Sequence, residues 1–500
     1  MSATRLRALI VAAAGAALLA PAPARAAVAI KADPGIRPRF DQSVPDYVVR
    51  CDPAAPVRFA VSASGGDSVA VGNRAKQSGD FTADASLVPG QAVELRVATA
   101  AGSSTHHVRC LPADFPAWTV RRYRRPQSQF YVLTPVGRHN FGYVAVFDAR
   151  GVPVWWMHSS WYAPWDGKLM PSGNLMWSRI FSTDYGLSSA GGWEEHTLDG
   201  QRVRLLQTKG TPTDFHDAEQ MPNGHYLLDS YHLRKDVDLR PVGGPQHATV
   251  ADAEIQELRP DGKVVWRWNS KDHIALTDRA WSWAGAINEQ AKKPPADRRY
   301  DIVHINSMEP DGDGVVVSAR YLDAVFRIDR KTKKITWKLG GTKWPQSLKV
   351  KSDPLGSRPF GGQHDARLLP DHTLTVYDNG ASGSRNPPKR PPRAVRYRID
   401  TKKRTATLLE DVREKSVKSS GWGGSARRLP GGNWVVNWGG STLMSELTPA
   451  RARVIEIEFH GDKWGYRSFP LPHGRLTAQQ LRKGMDAILA AGRGQVPPPR

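Results

Sequence analysis

A chain of 500 residues exceeds what one compact core normally holds, so two domains, or one large repeat domain with an appendage, are expected. Seventeen tryptophans and 45 glycines favour short, turn-linked strands over helices. The formal net charge of +22 favours anionic partners, but no helix-turn-helix, zinc-finger or RNA-recognition pattern accompanies it, which argues against nucleic acid.

In chain order, Arg5 and Arg7 precede an apolar run from Ala8 to Ala20, and Ala24-Arg25-Ala26 has the small-x-small form of a cleavage site. The run is short and alanine-rich, and no candidate membrane span follows it. Residues 1–26 are therefore expected to be a secretory signal, with the mature protein soluble and periplasmic or extracellular. Export makes Cys51 and Cys110, the only cysteines, an expected disulfide.

Residues 27–115 carry strands of period two, such as Val57-Arg58-Phe59-Ala60-Val61 and Val93-Glu94-Leu95-Arg96-Val97, punctuated by Gly65-Gly66 and Pro89-Gly90. They predict a small β-sandwich tied by Cys51–Cys110. From 116 to 472 the chain repeats. A strand, an Asp- or Gly-bearing turn and a second strand recur six times, from Val144–Asp148 with Val152–Trp156 to Val454–Phe459 with Trp464–Phe469. A second hairpin stands between most of these pairs. Two hairpins make a four-stranded sheet, and six such sheets arranged radially make a six-bladed β-propeller, so the fold class is all-β. The segment Tyr231 to Tyr300 reads as an insertion carrying a helical lid. Gly380 to Pro392 reads as a mobile loop, and 473–500 as a short helix with a disordered tail.

The second hairpins share one frame. His216, His304 and His364 each lie six residues before the proline of a turn: Pro222-Asn223-Gly224, Pro310-Asp311-Gly312 and Pro370-Asp371-His372. Trp165 and Gly424 hold the same place before Pro171 and Pro430. Equivalent positions in a radial repeat converge on its axis, which would bring the imidazoles together at the channel mouth. Arg320 ends the strand that follows His304. Three imidazoles and a guanidinium suit a tetrahedral oxyanion, because imidazole serves as nucleophile, acid or base and guanidinium offers forked donors. Three histidines also suit zinc or copper, but an adjacent Arg repels a cation, so no metal is expected.

The strings His216-Asp217-Ala218-Glu219-Gln220-Met221-Pro222-Asn223-Gly224, Asp301-Ile302-Val303-His304-Ile305-Asn306-Ser307, Trp337-Lys338-Leu339-Gly340-Gly341, Gln363-His364-Asp365-Ala366-Arg367 and Tyr377-Asp378-Asn379-Gly380 resemble those of the arylsulfotransferase family. The family comprises cofactor-independent aryl-sulfate sulfotransferases, and the resemblance spans roughly residues 120–470. It implies a six-bladed propeller and ping-pong transfer of a sulfuryl group from an aryl sulfate to a phenol, with no cofactor. His364 matches the histidine that becomes sulfohistidine, and His304 matches a second site histidine that would shuttle a proton. Asn306 and Arg320 match partners of the sulfate oxygens, and His216 matches a supporting histidine. Trp281, Trp283 and Trp422 are expected nearer the mouth, as candidates to stack on an aromatic substrate.

Two other readings compete. A basic exported propeller can grip an acidic glycan or other polyanion without catalysis, with salt-sensitive binding. The Asp329 to Trp337 hairpin offers a quinone-dependent dehydrogenase reading, which the other blades do not repeat.

Overall fold

A computed structural model describes residues 28–137, 142–181, 186–278, 283–381 and 390–496, with side chains 284–286 excepted. The expected signal segment, Trp281 and most of the expected mobile loop lie outside these residues. The chain divides into two compact units, with residues up to 87 and 93–109 in the first and 88–92 and 110 onward in the second.

The first unit holds a three-stranded sheet of Val28–Asp33, Val57–Ala63 and Gly79–Ala85. A four-stranded sheet joins Asp46–Val49, Gly102–Cys110, Ala92–Thr99 and Ser68–Val71. Alternation makes these strands: Val57, Phe59, Val61 and Ala63 are buried and the residues between them exposed. Cys51 and Cys110 are disulfide-bonded.

The second unit is a six-bladed β-propeller, as the repeat predicts. Among its described residues, six sheets follow in chain order, each built on at least four antiparallel strands, with a parallel edge strand added in two of them. Blade two runs from Ala163–Leu169 to Arg202–Leu206, and blade three from Thr213–Gln220 to Val264–Asn269. Blade four runs from Ile305–Asp311 to Ile335–Gly340, blade five from His364–Leu368 to Thr405–Val412, and blade six from Ser425–Arg428 to Arg453–Phe459. Blade one takes Ser128–Leu133, Gly142–Asp148 and Pro153–Ser159 from its start and Ser468–Pro472 from the far end of the repeat. The first strands of blades two to six and Ser468–Pro472 touch in a closed cycle, so they line the axis.

This closure corrects the last strand pair read from the sequence. Arg453–Phe459 is the fourth strand of blade six and pairs with Leu443–Leu447 and, at the edge, Trp118–Arg122. Ser468–Pro472 pairs instead with Ser128–Leu133. Hydrogen bonding between the ends of the repeat seals the ring, and adjacency in sequence hid that exchange. Helix Ala478–Ala490 opens on a Thr477–Gln480 capping box and buries Leu481, Met485 and Ile488. After it, Gly494 accepts from His158 N and Val496 donates to His158 O, so a short bridge stands where a loose tail was expected. No helix among the described residues is long and apolar enough to cross a membrane.

Along the axis the blades meet through a buried ion network. Lys168 Nζ lies 2.9 Å from Asp166, 3.0 Å from Asp217 and 2.9 Å from Glu219. Arg367 pairs with Asp217, Glu219, Asp365 and Glu309, and Arg427 with Asp365. Arg467 pairs with Asp166 and Asp217 and donates to the Asn306 carbonyl. Burial opposes ionisation of Asp217, but Arg367, Lys168 and Arg467 outweigh it and hold its pKa well below the usual value. Asp365 is likewise lowered against its burial, by Arg427, Arg367 and Arg467.

Asp217→Asn removes the carboxylate shared by three buried cations. We expect it to cost about 3–5 kcal/mol in denaturant unfolding at neutral pH. Because the folded-state pKa of Asp217 is depressed, its contribution is full above the unfolded value of about 4 and fades as pH falls through the folded value. The gap between wild type and variant should therefore shrink in stronger acid; a gap independent of pH would contradict this account.

Candidate active site

The ion network and the histidines come from the same short segments. In blades two, three and five the residues one and three places after the frame residue enter the network: Asp166 and Lys168, Asp217 and Glu219, and Asp365 and Arg367. A strict strand would send the frame residue and its successor to opposite faces. Register shifts release that constraint in four blades: between Trp165 and Lys168, Thr213 and Ala218, Ile305 and Ser307, and His364 and Arg367. Asp166, His304 and Asp365 carry the left-handed φ angles of 46°, 53° and 53° that such bulges use.

The structure brings His216, His304, His364 and Arg320 together. The His216 and His304 ring centroids lie 4.6 Å apart, edge to face. Tyr466 bridges the remainder, 6.0 Å from His216 and 6.2 Å from His364. It is the sixth frame residue, six places before Pro472-His473-Gly474, and the sequence reading missed it although the same spacing marks it. Gly424 completes the set, where an added Cβ would stand 2.2 Å from the Tyr377 ring.

Hydrogen bonds separate the imidazoles chemically. His364 Nδ1 faces two acceptors, Asn379 Oδ1 at 2.8 Å and the Gly362 carbonyl at 3.1 Å. Asn379 presents its oxygen because its Nδ2 donates to Ser420 Oγ and the Gly423 carbonyl, each at 2.9 Å. Nδ1 of His364 therefore carries the proton, and Nε2 has a free lone pair, which accepts from Gly423 N at 3.2 Å. Burial lowers the His364 pKa well below its ordinary value, with the Arg320 charge acting in the same direction.

The other two histidines lean on carboxylates. His304 Nδ1 lies 2.7 Å from Asp301 Oδ2, and Asp301 Oδ1 accepts the backbone N–H groups of Val303 and His304. Burial pushes Asp301 up to about 6 and holds His304 well below its usual value. His216 Nδ1 lies 2.8 Å from Asp214 Oδ2. Asp214, Asp301 and Asn379 had no role in the sequence reading. Two of them stand just upstream of their histidines, but only the fold shows which side chain turns to which ring.

Arg320 spends Nη2 on the Gly421 carbonyl at 2.9 Å, while its buried Nε has no protein partner. A buried donor without a partner calls for a missing acceptor. Asn306 lies against the strand of His364. One N–H of its Nδ2 donates to the Gln363 carbonyl at 2.7 Å, and its buried Oδ1 has no partner. In this arrangement Asn306 positions the peptide before His364, and its amide keeps a second N–H.

The tryptophan expectations divide. Trp283 is fully buried and donates to the Val242 carbonyl, so it is not available for stacking, and Trp281 lies outside the described residues. Trp422 is 38% exposed and precedes Gly423, the donor to His364. It stands parallel to Trp165 at 6.3 Å and edge-on to Trp464 at 4.4 Å. Trp165 in turn stacks on Tyr466 at 4.8 Å. An aromatic wall thus adjoins His364. Among the described residues, Asp214, His216 and Asp229 form one group with ligand-type atoms close enough together for a metal ion.

A search of curated proteins finds no match to the chain. Among solved structures it is similar to a protein of unknown function from Bacteroides caccae, at 12% identity and TM-score 0.40 over 69% of this chain and 99% of that one. It is also similar to the β-propeller domain of Cps50 (Swd1) from Myceliophteria thermophila, at 12% identity and TM-score 0.39 over 72% and 92%. Both likenesses are distant. The family description Arylsulfotransferase (ASST) matches residues 120–467, which contain the whole constellation of His216, His304, Arg320 and His364. The chain belongs to the arylsulfotransferase family.

Proposed function

We propose that this protein transfers a sulfuryl group from an aryl sulfate to a phenol in two displacements through His364. The observation that carries the reading is the tautomer of His364. Two acceptors at Nδ1 leave Nε2 as the only lone pair, on a ring that burial keeps neutral. A neutral buried imidazole is a ready nitrogen nucleophile.

In the first displacement Nε2 attacks sulfur, the N–S bond forms and the bond from sulfur to the phenolic oxygen breaks. Gly423 N–H, released from Nε2, and the unpartnered Arg320 Nε–H are the donors best placed for the sulfuryl oxygens. The leaving phenolate takes a proton from His304. In the second, the acceptor phenol returns a proton to His304 as its oxygen bonds to sulfur and the N–S bond breaks. A carboxylate-backed imidazole suits that shuttle, because Asp301 stabilises the ring when it holds two protons. His216, backed by Asp214, supports the charge change. The aromatic wall of Trp165, Trp422, Trp464 and Tyr466 suits a planar substrate ring. Export belongs to the same proposal, since the Cys51–Cys110 disulfide fits an oxidising compartment.

Incubation with an aryl sulfate should add the mass of one sulfuryl group to the peptide containing His364, and His364→Ala should fold yet lose both label and transfer. Label on another histidine, or full transfer by the variant, would overturn the assignment. The Asp301–His304 pair should take up a proton as pH falls through about 6. Phenol release from a donor with a poor leaving group should therefore slow above that pH, and transfer to the acceptor should slow below it. Asp301→Asn should abolish these opposed profiles and slow both steps by about 100-fold. Profiles unchanged in that variant would remove Asp301 from the mechanism.

A further inference from the structure

Asp229 lies in the second strand of blade three, Tyr226–Val237, and is 1% exposed. Both of its carboxylate oxygens lack any hydrogen-bond partner. It stands beside Asp214 and His216, with one ligand-type atom from each of the three within 4.8 Å of the others. The hydroxyl of Tyr231, buried two residues further along the strand, bonds to the Asp301 carboxyl group. Burial raises the Tyr231 pKa, and the charges of Asp301, Asp214 and Asp229 raise it further, which places its hydroxyl near the same carboxyl groups.

An ionised carboxylate buried without side-chain donors is unfavourable, and burial together with the charges of Asp214 and Asp217 pushes the Asp229 pKa well above its ordinary value. The neighbouring cations do not relieve it. Lys168, Arg367 and Arg467 are engaged with Asp166, Asp217, Glu219 and Asp365. Arg320 acts on His304 and His364. The donor set is therefore one imidazole and two carboxylates, with a phenol alongside.

We propose that Asp214, His216 and Asp229 bind a divalent transition cation of the Mn2+ or Zn2+ class. Mixed imidazole and carboxylate donors suit such ions better than Ca2+ or Mg2+, which prefer oxygen alone. His216 Nδ1 and Asp214 Oδ2 stand 2.8 Å apart, close to the spacing of two adjacent ligand atoms each about 2.1 Å from one cation. Binding moves the imidazole proton from Nδ1 to Nε2 and releases any proton that Asp229 holds, so affinity rises with pH. His216 then presents a fixed Nε2–H in place of a lone pair. The site shares His216 and Asp214 with the proposed reaction, but its occupation requires no sulfuryl transfer, and its failure would leave the roles of His364 and His304 untouched.

The test uses the full-length protein stripped with a chelator and titrated with Mn2+, with free Mn2+ read by electron paramagnetic resonance and stability by thermal unfolding. One bound equivalent and a raised Tm are expected. Asp229→Asn should weaken binding at least about tenfold while unfolding in chelator no earlier than wild type. No binding at millimolar Mn2+ or Zn2+, or binding unaltered in Asp229→Asn, would overturn the proposal. Should that variant not fold, anomalous diffraction from wild-type crystals soaked in Mn2+ decides the matter. A peak between Asp214, His216 and Asp229 supports the site, and water alone there refutes it.

Discussion

Charge neutralisation along the propeller axis is the constraint from which the rest of this unit follows. Blade two supplies Asp166 and Lys168, blade three Asp217 and Glu219, and blade four Glu309 with the Met308 N–H and Asn306 carbonyl. Blade five supplies Asp365 and Arg367, blade six Arg427, and the strand that closes blade one is preceded by Arg467. These five carboxyl groups and four cations are largely removed from water. Burial pushes Glu309 up to about 7, with Glu219 reinforcing it against Arg367, so the fifth carboxyl need not be fully ionised. Such a network adds little net stability relative to an apolar core, but losing one partner is costly. It bears on register, since a one-residue slip of an axial strand would turn its charged side chains away from these partners.

That register is also what assembles the mouth. The bulges that turn Asp166, Asp217 and Asp365 toward the axis place Trp165, His216 and His364 one residue earlier, beside Tyr466 and His304. Arg467 and Tyr466 show the coupling at its shortest, since adjacent residues serve the network and the aromatic wall. The reactive groups thus rest on rigid strands fixed by charge, which suits chemistry that depends on holding dipoles in place. The three imidazoles then differ by what stands behind Nδ1. An amide oxygen stands behind His364, whereas carboxyl groups stand behind His304 and His216.

Much of this was legible in the chain. The spacing from histidine to proline located the frame because the turn and the bulge fix the distance between mouth and hairpin. The same spacing marks Tyr466, but its strand sits after blade six in sequence, where it resembles the end of a hairpin. Arg320 was recognisable as the cation following the His304 strand. Trp283 was misplaced because burial of an indole depends on what packs over it, which no local pattern records.

The amino-acid sequence by itself determined the six-fold repeat, the identity of the frame residues and the family, since each depends on local spacing and residue type. Which strand closes the ring depended on pairing across more than three hundred residues, and only the tertiary structure decided it. The same holds for the chemistry of the site. Asn379 stands behind His364, Asn306 turns its N–H to the Gln363 carbonyl, and Asp229 remains without a partner because of side-chain directions set by packing between blades. The sequence names the three histidines of the mouth; the folded chain decides which of them carries a lone pair and which a proton.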